Sequence, residues 1–142
     1  MNDLFSQYPM PDALKNIPAS IEAIRNSSTK FYNDADALQE MFNSIDLTTL
    51  STTDSAESVK AFVNKVNTFA NDYPSLKNVG GICVYPVFAP VLASTLKVDG
   101  VFKAVVAACF PSSQTFADIK CAEVRKAVDF GANEIDVVSS VG

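Results

Sequence analysis

KAVVAACF, Lys103 to Phe110, and NEIDVV, Asn133 to Val138, bracket the segment that decides the fold. Both runs are apolar and rich in β-branched residues, so both predict strands. Pro111 closes the first. Between them, Phe116 to Phe130 sets Ile119, Val124, Ala127 and Val128 on one helical face. Gly131 then stands at the C′ position, where φ is often positive. Strand, helix and strand at this spacing make a parallel βαβ unit.

The same alternation extends back along the chain. GGICVYP (80–86) reads as a strand stopped by Pro86, and Phe88 to Val98 reads as the helix that follows it. Ala56 to Asp72 carries Val59, Phe62, Val63, Val66, Phe69 and Ala70 on one stripe, the pattern of a helix with a buried face. IDLTTL (45–50) is a further short strand. Four strands separated by helices predict a parallel α/β sheet, with helices on one face and a core on the other. Residues 1–44 are different: polar, punctuated by Pro9, Pro11 and Pro18, with two expected helices. One runs from Ser20 to Ser28 with Ser20 as N-cap. The other runs from Asp34 to Asn43 with Ala35, Leu38, Met41 and Phe42 at helical spacing. The expected division is thus a helical extension over 1–44 and an α/β unit over 45–142.

Composition narrows the function classes. At 142 residues the chain is one domain with room for a real core. A net charge of -5, with only 11 scattered lysines and arginines, argues against nucleic-acid binding. No basic n-region precedes an apolar run at the start, and no run approaches the ~20 residues of a membrane span, so a cytoplasmic protein without membrane contact is expected. Cys83, Cys109 and Cys121 are odd in number and widely spaced, which fits reduced thiols. The absence of histidine removes His-based triads and His-containing zinc sites, and three dispersed cysteines do not make a structural zinc site. No glycine-rich phosphate loop is present, since Gly80-Gly81 leads into a strand and not a helix.

Reactive groups in parallel α/β folds gather at the carboxyl ends of strands. Asp46 and Thr48 are two apart and share a face; Cys83 shares one with Gly81 and Tyr85; Asp136 shares one with Glu134 and Val138. If Ile135 and Val137 meet the helices, Asp136 points into the inner face. Each residue has an ordinary reading: a structural aspartate, a turn-initiating Asp-x-Thr pair, a small buried cysteine, a solvated Glu134 at the strand start. Two inward acids on nearby strands carry more weight, because buried carboxylates need cationic partners. The nine lysines fall on helices, on loops or in the extension, and are expected on the surface. Lys103 is on a strand but at its amino end; Arg25 and Arg125 are helical. No cation in the chain is assigned to Asp136.

In order and spacing, IDLTTL, ICVYP (82–86), the Phe110-Pro111 pair, the K-x-x-E segment Lys120 to Glu123 and GANEIDVV (131–138) resemble the deoxyribose-phosphate aldolases, class I aldolases of (β/α)₈ barrel fold. The resemblance covers Ile45 to Gly142, the first four strands of such a barrel. It implies a lyase of deoxyribonucleotide catabolism. The reaction would be reversible cleavage of 2-deoxy-D-ribose 5-phosphate to acetaldehyde and glyceraldehyde 3-phosphate through a lysine Schiff base, with neither metal nor cofactor. It also implies Asp136 as proton relay, and Asp46, Thr48 and Cys83 as substrate-binding groups. The Schiff-base lysine, its helper lysine and the phosphate loops belong to later strands of the family, so no lysine here takes either role. The chain alone is expected to be inactive. Where many members carry a glycine after Phe110-Pro111, this sequence reads SSQT, a departure that bears on the loop over the third strand.

A complete barrel takes ~250 residues and eight strands. Four strands leave two open edges and an exposed inner face, so a homo-oligomer or pairing with a C-terminal half is expected. The alternative is a non-catalytic α/β scaffold or subunit that keeps the fold without the catalytic lysines.

Overall fold

The computed structural model describes residues 16–141. The chain divides into two compact units between Leu38 and Gln39. Pro9, Pro11 and Lys15 lie outside the described residues.

In the first unit, helix α1 (Ile17–Ser28) is capped by Asn16, whose side chain accepts from the Ala19 amide at 3.4 Å. The helix therefore starts one turn before the expected Ser20, with Pro18 in the first turn, where its missing N–H costs nothing. A 3₁₀ turn, Thr29–Phe31, follows. Helix α2 (Ala35–Asn43) opens on Asp34, whose Oδ1 accepts from the amides of Asp36 and Ala37 at 3.1 and 3.0 Å.

From Gln39 the residues of α2 belong to the second unit. Gln39 exchanges two hydrogen bonds with the backbone of Lys77, Glu40 pairs with the Lys77 ammonium, and Asn43 donates to the Asn78 carbonyl. Phe42 stacks on Phe69 with ring centroids 5.4 Å apart. Then come β1 (Asp46–Thr48), α3 (Ala56–Asp72), β2 (Gly81–Val84), a 3₁₀ turn (Pro86–Phe88), α4 (Ala89–Thr95), β3 (Phe102–Ala107), α5 (Ala117–Asp129) and β4 (Glu134–Val137). The strands form one parallel sheet in the order β1-β2-β3-β4. Each connection carries a helix, as a parallel sheet requires. No described helix is long and apolar enough to cross a membrane.

Local chemistry explains the boundaries. Ser55 and Ser58 form a reciprocal capping box that starts α3. Helix α4 is shorter than its apolar pattern suggests because Asn67 of α3 ends it, donating to the Thr95 carbonyl and accepting from the Lys97 amide. Helix α5 closes in a Schellman motif: Ala132 N–H bonds to the Ala127 carbonyl and Gly131 N–H to the Val128 carbonyl, with Gly131 at φ +97°.

Strand alternation divides the core into two layers. Ile82, Val84 and Val105 face the helices and pack with Val59, Val63 and Leu92. Cys83, Ala104 and Val106 face the other way, with Leu50, Tyr85 and Phe110 around them. The outer strands show the open edges expected of a four-stranded sheet. Asp136 and Val137 of β4 are exposed, as are Asp46 and Thr48 of β1, because β1 and β4 each lack a neighbour on one side.

Candidate active site

Parallel register builds the inner face in rows. Asp46 lies opposite Gly81, and Gly81 opposite Phe102. The next row is Thr48, Cys83, Ala104 and Glu134, and above it Val106 pairs with Asp136. Asp46, Thr48, Cys83 and Asp136, the four residues singled out in the sequence, therefore share one face of one sheet. Ile135 packs on the helix-side core, which fixes the opposite parity for Asp136.

Small residues make the convergence possible. A methyl group on Gly81 would overlap Asp46 Oδ1 and come within 3.3 Å of Asp46 Cγ, so the Asp46 carboxylate lies across the bare backbone of β2. Ala104 then leaves room on β3 beside Glu134. The Thr48 hydroxyl donates to the Asp46 carbonyl at 2.9 Å, on the rim of the same row.

The electrostatics report this closeness. Burial pushes the Cys83 thiol up from 9.0 to about 11; the charges of Asp136 and Asp46 add to the rise, as does Glu134, while a side-chain interaction with Thr48 opposes it. The thiol is thus held neutral among three acids. Of the two readings of Glu134, a solvated strand start or a member of the Asp136 face, the structure favours the second. It is half-buried, and its carboxyl is raised above the ordinary value by desolvation, then by the Asp46 charge, with which it shares a hydrogen bond, and then by Asp136. The missed signal was Gly81: a residue without a side chain opposite an acid leaves a path for that acid to reach across the sheet.

Cations behave differently from the acids. Lys103, the only strand lysine among the described residues, pairs with Ile82 and so shares the helix-side face. Lys120 does not fit the expectation of a plain surface lysine. It is half-buried, and its ammonium donates to the hydroxyls of Ser113 at 2.6 Å and Ser140 at 2.7 Å. Ser113 in turn donates to the Val138 carbonyl at 3.0 Å. Ser113 is buried with φ +57°, a conformation that favours glycine. The serine of SSQT therefore keeps a glycine-like backbone and anchors it with its hydroxyl.

At the carboxyl ends of β2 and β3 a cavity of about 300 Å³ opens between Tyr85, Val106, Cys109, Phe110 and Glu123. The Tyr85 and Phe110 rings meet edge to face, centroids 6.4 Å apart. An acid-lined inner face beside this cavity can bind a polar, hydroxylated ligand and move protons on it.

No family model matches the chain. Solved structures do. A tetrameric deoxyribose phosphate aldolase from Aeropyrum pernix is 28% identical over 72% of this chain and 40% of its own, with a TM-score of 0.56. QR15, described as an aldolase, is 25% identical over 70% of this chain and 40% of its own, with a TM-score of 0.60. A candidate deoxyribose-phosphate aldolase from Coccidioides immitis matches at 22% identity, with a TM-score of 0.57, over 70% of this chain and 36% of its own. The chain thus spans 36–40% of the length of these structures.

Proposed function

From a chain that is a partial deoxyribose-phosphate-aldolase-like barrel, we propose that it forms the proton-handling wall of a class I aldolase site. The reaction is reversible cleavage of 2-deoxy-D-ribose 5-phosphate to acetaldehyde and glyceraldehyde 3-phosphate. The observation that carries this reading is the gathering of Asp46, Glu134 and Asp136 around Cys83 on the inner face, with the one described strand lysine turned to the other side. A non-catalytic scaffold has no use for three acids there, since like charges in one place cost stability.

A lysine from the strands that complete the barrel condenses with the substrate aldehyde and releases water. A water held by Asp136 takes the proton of the C3 hydroxyl as the carbon–carbon bond breaks, and the protonated imine accepts the electron pair, which frees glyceraldehyde 3-phosphate and leaves an enamine. A proton returns to the enamine carbon, and hydrolysis releases acetaldehyde and the lysine. Asp136 relays that proton through ordered water, at the carboxyl end of β4. Asp46, Thr48 and Cys83 line the bound carbon chain, the neutral thiol giving an uncharged contact. The partner is the C-terminal half of such a barrel, which pairs along the open edges of β1 and β4 and brings the cations that the inner face needs.

Borohydride reduction in the presence of acetaldehyde tests this. The chain alone is expected to remain unlabelled. Mixed with the C-terminal half of an aldolase barrel, the assembly gains an ethyl group on a lysine of that half and cleaves deoxyribose 5-phosphate. Asp136→Asn lowers the cleavage rate by about 10²-fold or more, the scale of a lost general acid–base group. Covalent labelling of a lysine in this chain, or full turnover with Asp136→Asn, refutes the assignment.

A further inference from the structure

The K-x-x-E segment is the one sequence motif that the proposed chemistry leaves unused. Lys120 and Glu123 lie one turn apart on α5 and reach the loop after β3 from its two ends. The Glu123 carboxylate accepts from the Cys109 amide at 3.0 Å. Lys120 holds Ser113 and Ser140, and Ser113 holds the Val138 carbonyl just beyond β4.

What lies between the two grips is strained. Ala108, Cys109 and Ser113 have φ of +67°, +62° and +57°, and none is glycine. Each such conformation is unfavourable for a residue with a side chain and persists only where its surroundings over-determine it. Phe110 sits inside this span and faces Tyr85 over the cavity. Without the grips, the backbone would relax toward ordinary φ values and carry the Phe110 ring with it.

We infer that Lys120 and Glu123 are positioning residues of the site: they clamp residues 108–113 so that Phe110 stands as the wall of the inner-face cavity. Neither touches the reacting atoms. Only the identity of the ligand against that wall, the carbon chain of a sugar phosphate, rests on the aldolase reading; the clamp itself does not. Lys120 also ties this loop to Ser140, so one ammonium fixes the exits of two neighbouring strands at once.

Amide hydrogen exchange on the chain, with ring contacts read by NMR, tests the clamp separately from the borohydride experiment. Lys120→Met and Glu123→Ala are expected to speed exchange of the amides at 109–115 by about tenfold or more, with β2 and the centre of β3 unchanged, as a local opening does. Both abolish the Phe110–Tyr85 ring contact. Lys120→Arg keeps the donors and Glu123→Gln keeps the acceptor, so each stays within about threefold of the parent chain. The Lys120 ammonium is expected to give a slowly exchanging NMR signal that Ser140→Ala weakens, a readout available even if Lys120→Met does not fold. Unchanged loop exchange, acceleration spread evenly over the whole sheet, or no rescue by arginine and glutamine overturns the proposal.

Discussion

Removing the Cys83 thiol should change how stability depends on alkaline pH, and the size of the change follows from the site. Cys83 is 4% exposed, and its thiol titrates at about 11 against 9.0 in the ordinary state. The folded chain therefore holds this proton more tightly than the unfolded chain. Stability from this group is fully present below pH 9.0 and is lost as pH rises through about 11. At about pH 10 the unfolded thiol is mostly ionised and the folded one mostly neutral, so the loss is about 1.4 kcal/mol, approaching about 3 kcal/mol above pH 11. Cys83→Ala has no proton to lose. Its urea-unfolding free energy, subtracted from that of the parent chain, should be flat up to about pH 8.5 and then move by about 1.4 kcal/mol at about pH 10. Lysine and tyrosine titrations are common to both chains and cancel in the difference. Asp136→Asn, which removes the largest charge acting on the thiol, should shrink the effect. A difference that stays constant from about pH 8 to about pH 10.5 would refute the reasoning, because the thiol would then sit neither buried nor among charges.

Other perturbations isolate single devices. Gly81→Ala places a methyl on Asp46 Oδ1 and pushes that side chain aside; the Glu134 carboxyl should then titrate closer to 4.5, read by carbon-13 NMR, while the unfolding midpoint changes little because Asp46 is exposed and free to turn. Gly131→Ala and Gly100→Ala both force alanine to positive φ, at +97° and +77°, but only at Gly131 does the new methyl meet a neighbour, Ala93 Cβ at 2.9 Å. Both should lose about 1–2 kcal/mol in urea unfolding, with Gly131→Ala the more damaging of the two. Ser55→Ala should cost about 1 kcal/mol and Ser55→Gly only a few tenths, since the cap of α3 rests on that hydroxyl.

The architecture was legible because its signals are local and periodic. The continuous apolar runs of β2 and β3, the stripe on α3 and the glycine after α5 each gave the element within a few residues. Boundaries set by distant side chains were not legible. Nothing near Thr95 announces that Asn67, 28 residues earlier, will end α4 there. Ser20 was a plausible cap by type, but Asn16 stands one turn earlier and accepts from Ala19, and Pro18 suits the first turn as well as it suits a break.

The site divides along the same line. Residue parity on a strand is a sequence property, so Asp46 goes with Thr48, Cys83 with Tyr85 and Asp136 with Glu134 from the sequence alone; that the three pairs share one face of the sheet comes from the register of the strands. Depth does not follow from the sequence either, because exposure of β4 depends on what stands beside it in the sheet. The surroundings of Glu134 and Lys120 escape the sequence for a shared reason: each takes its environment from a residue far away in sequence. Glu134 gains its raised carboxyl from burial and from Asp46, which reaches it only across Gly81. Lys120 gains its acceptors from Ser113 and Ser140 on two different loops. Small residues opposite charged ones, and a serine where the backbone needs φ above zero, were the traces such contacts left in the sequence. Gly81 opposite Asp46 marks where one acid crosses the sheet, and Ser113 marks where a hydroxyl must compensate a strained backbone. Both traces lead to the face that carries Cys83 or to the loop that walls it, so the acids and the proposed clamp converge on one candidate site.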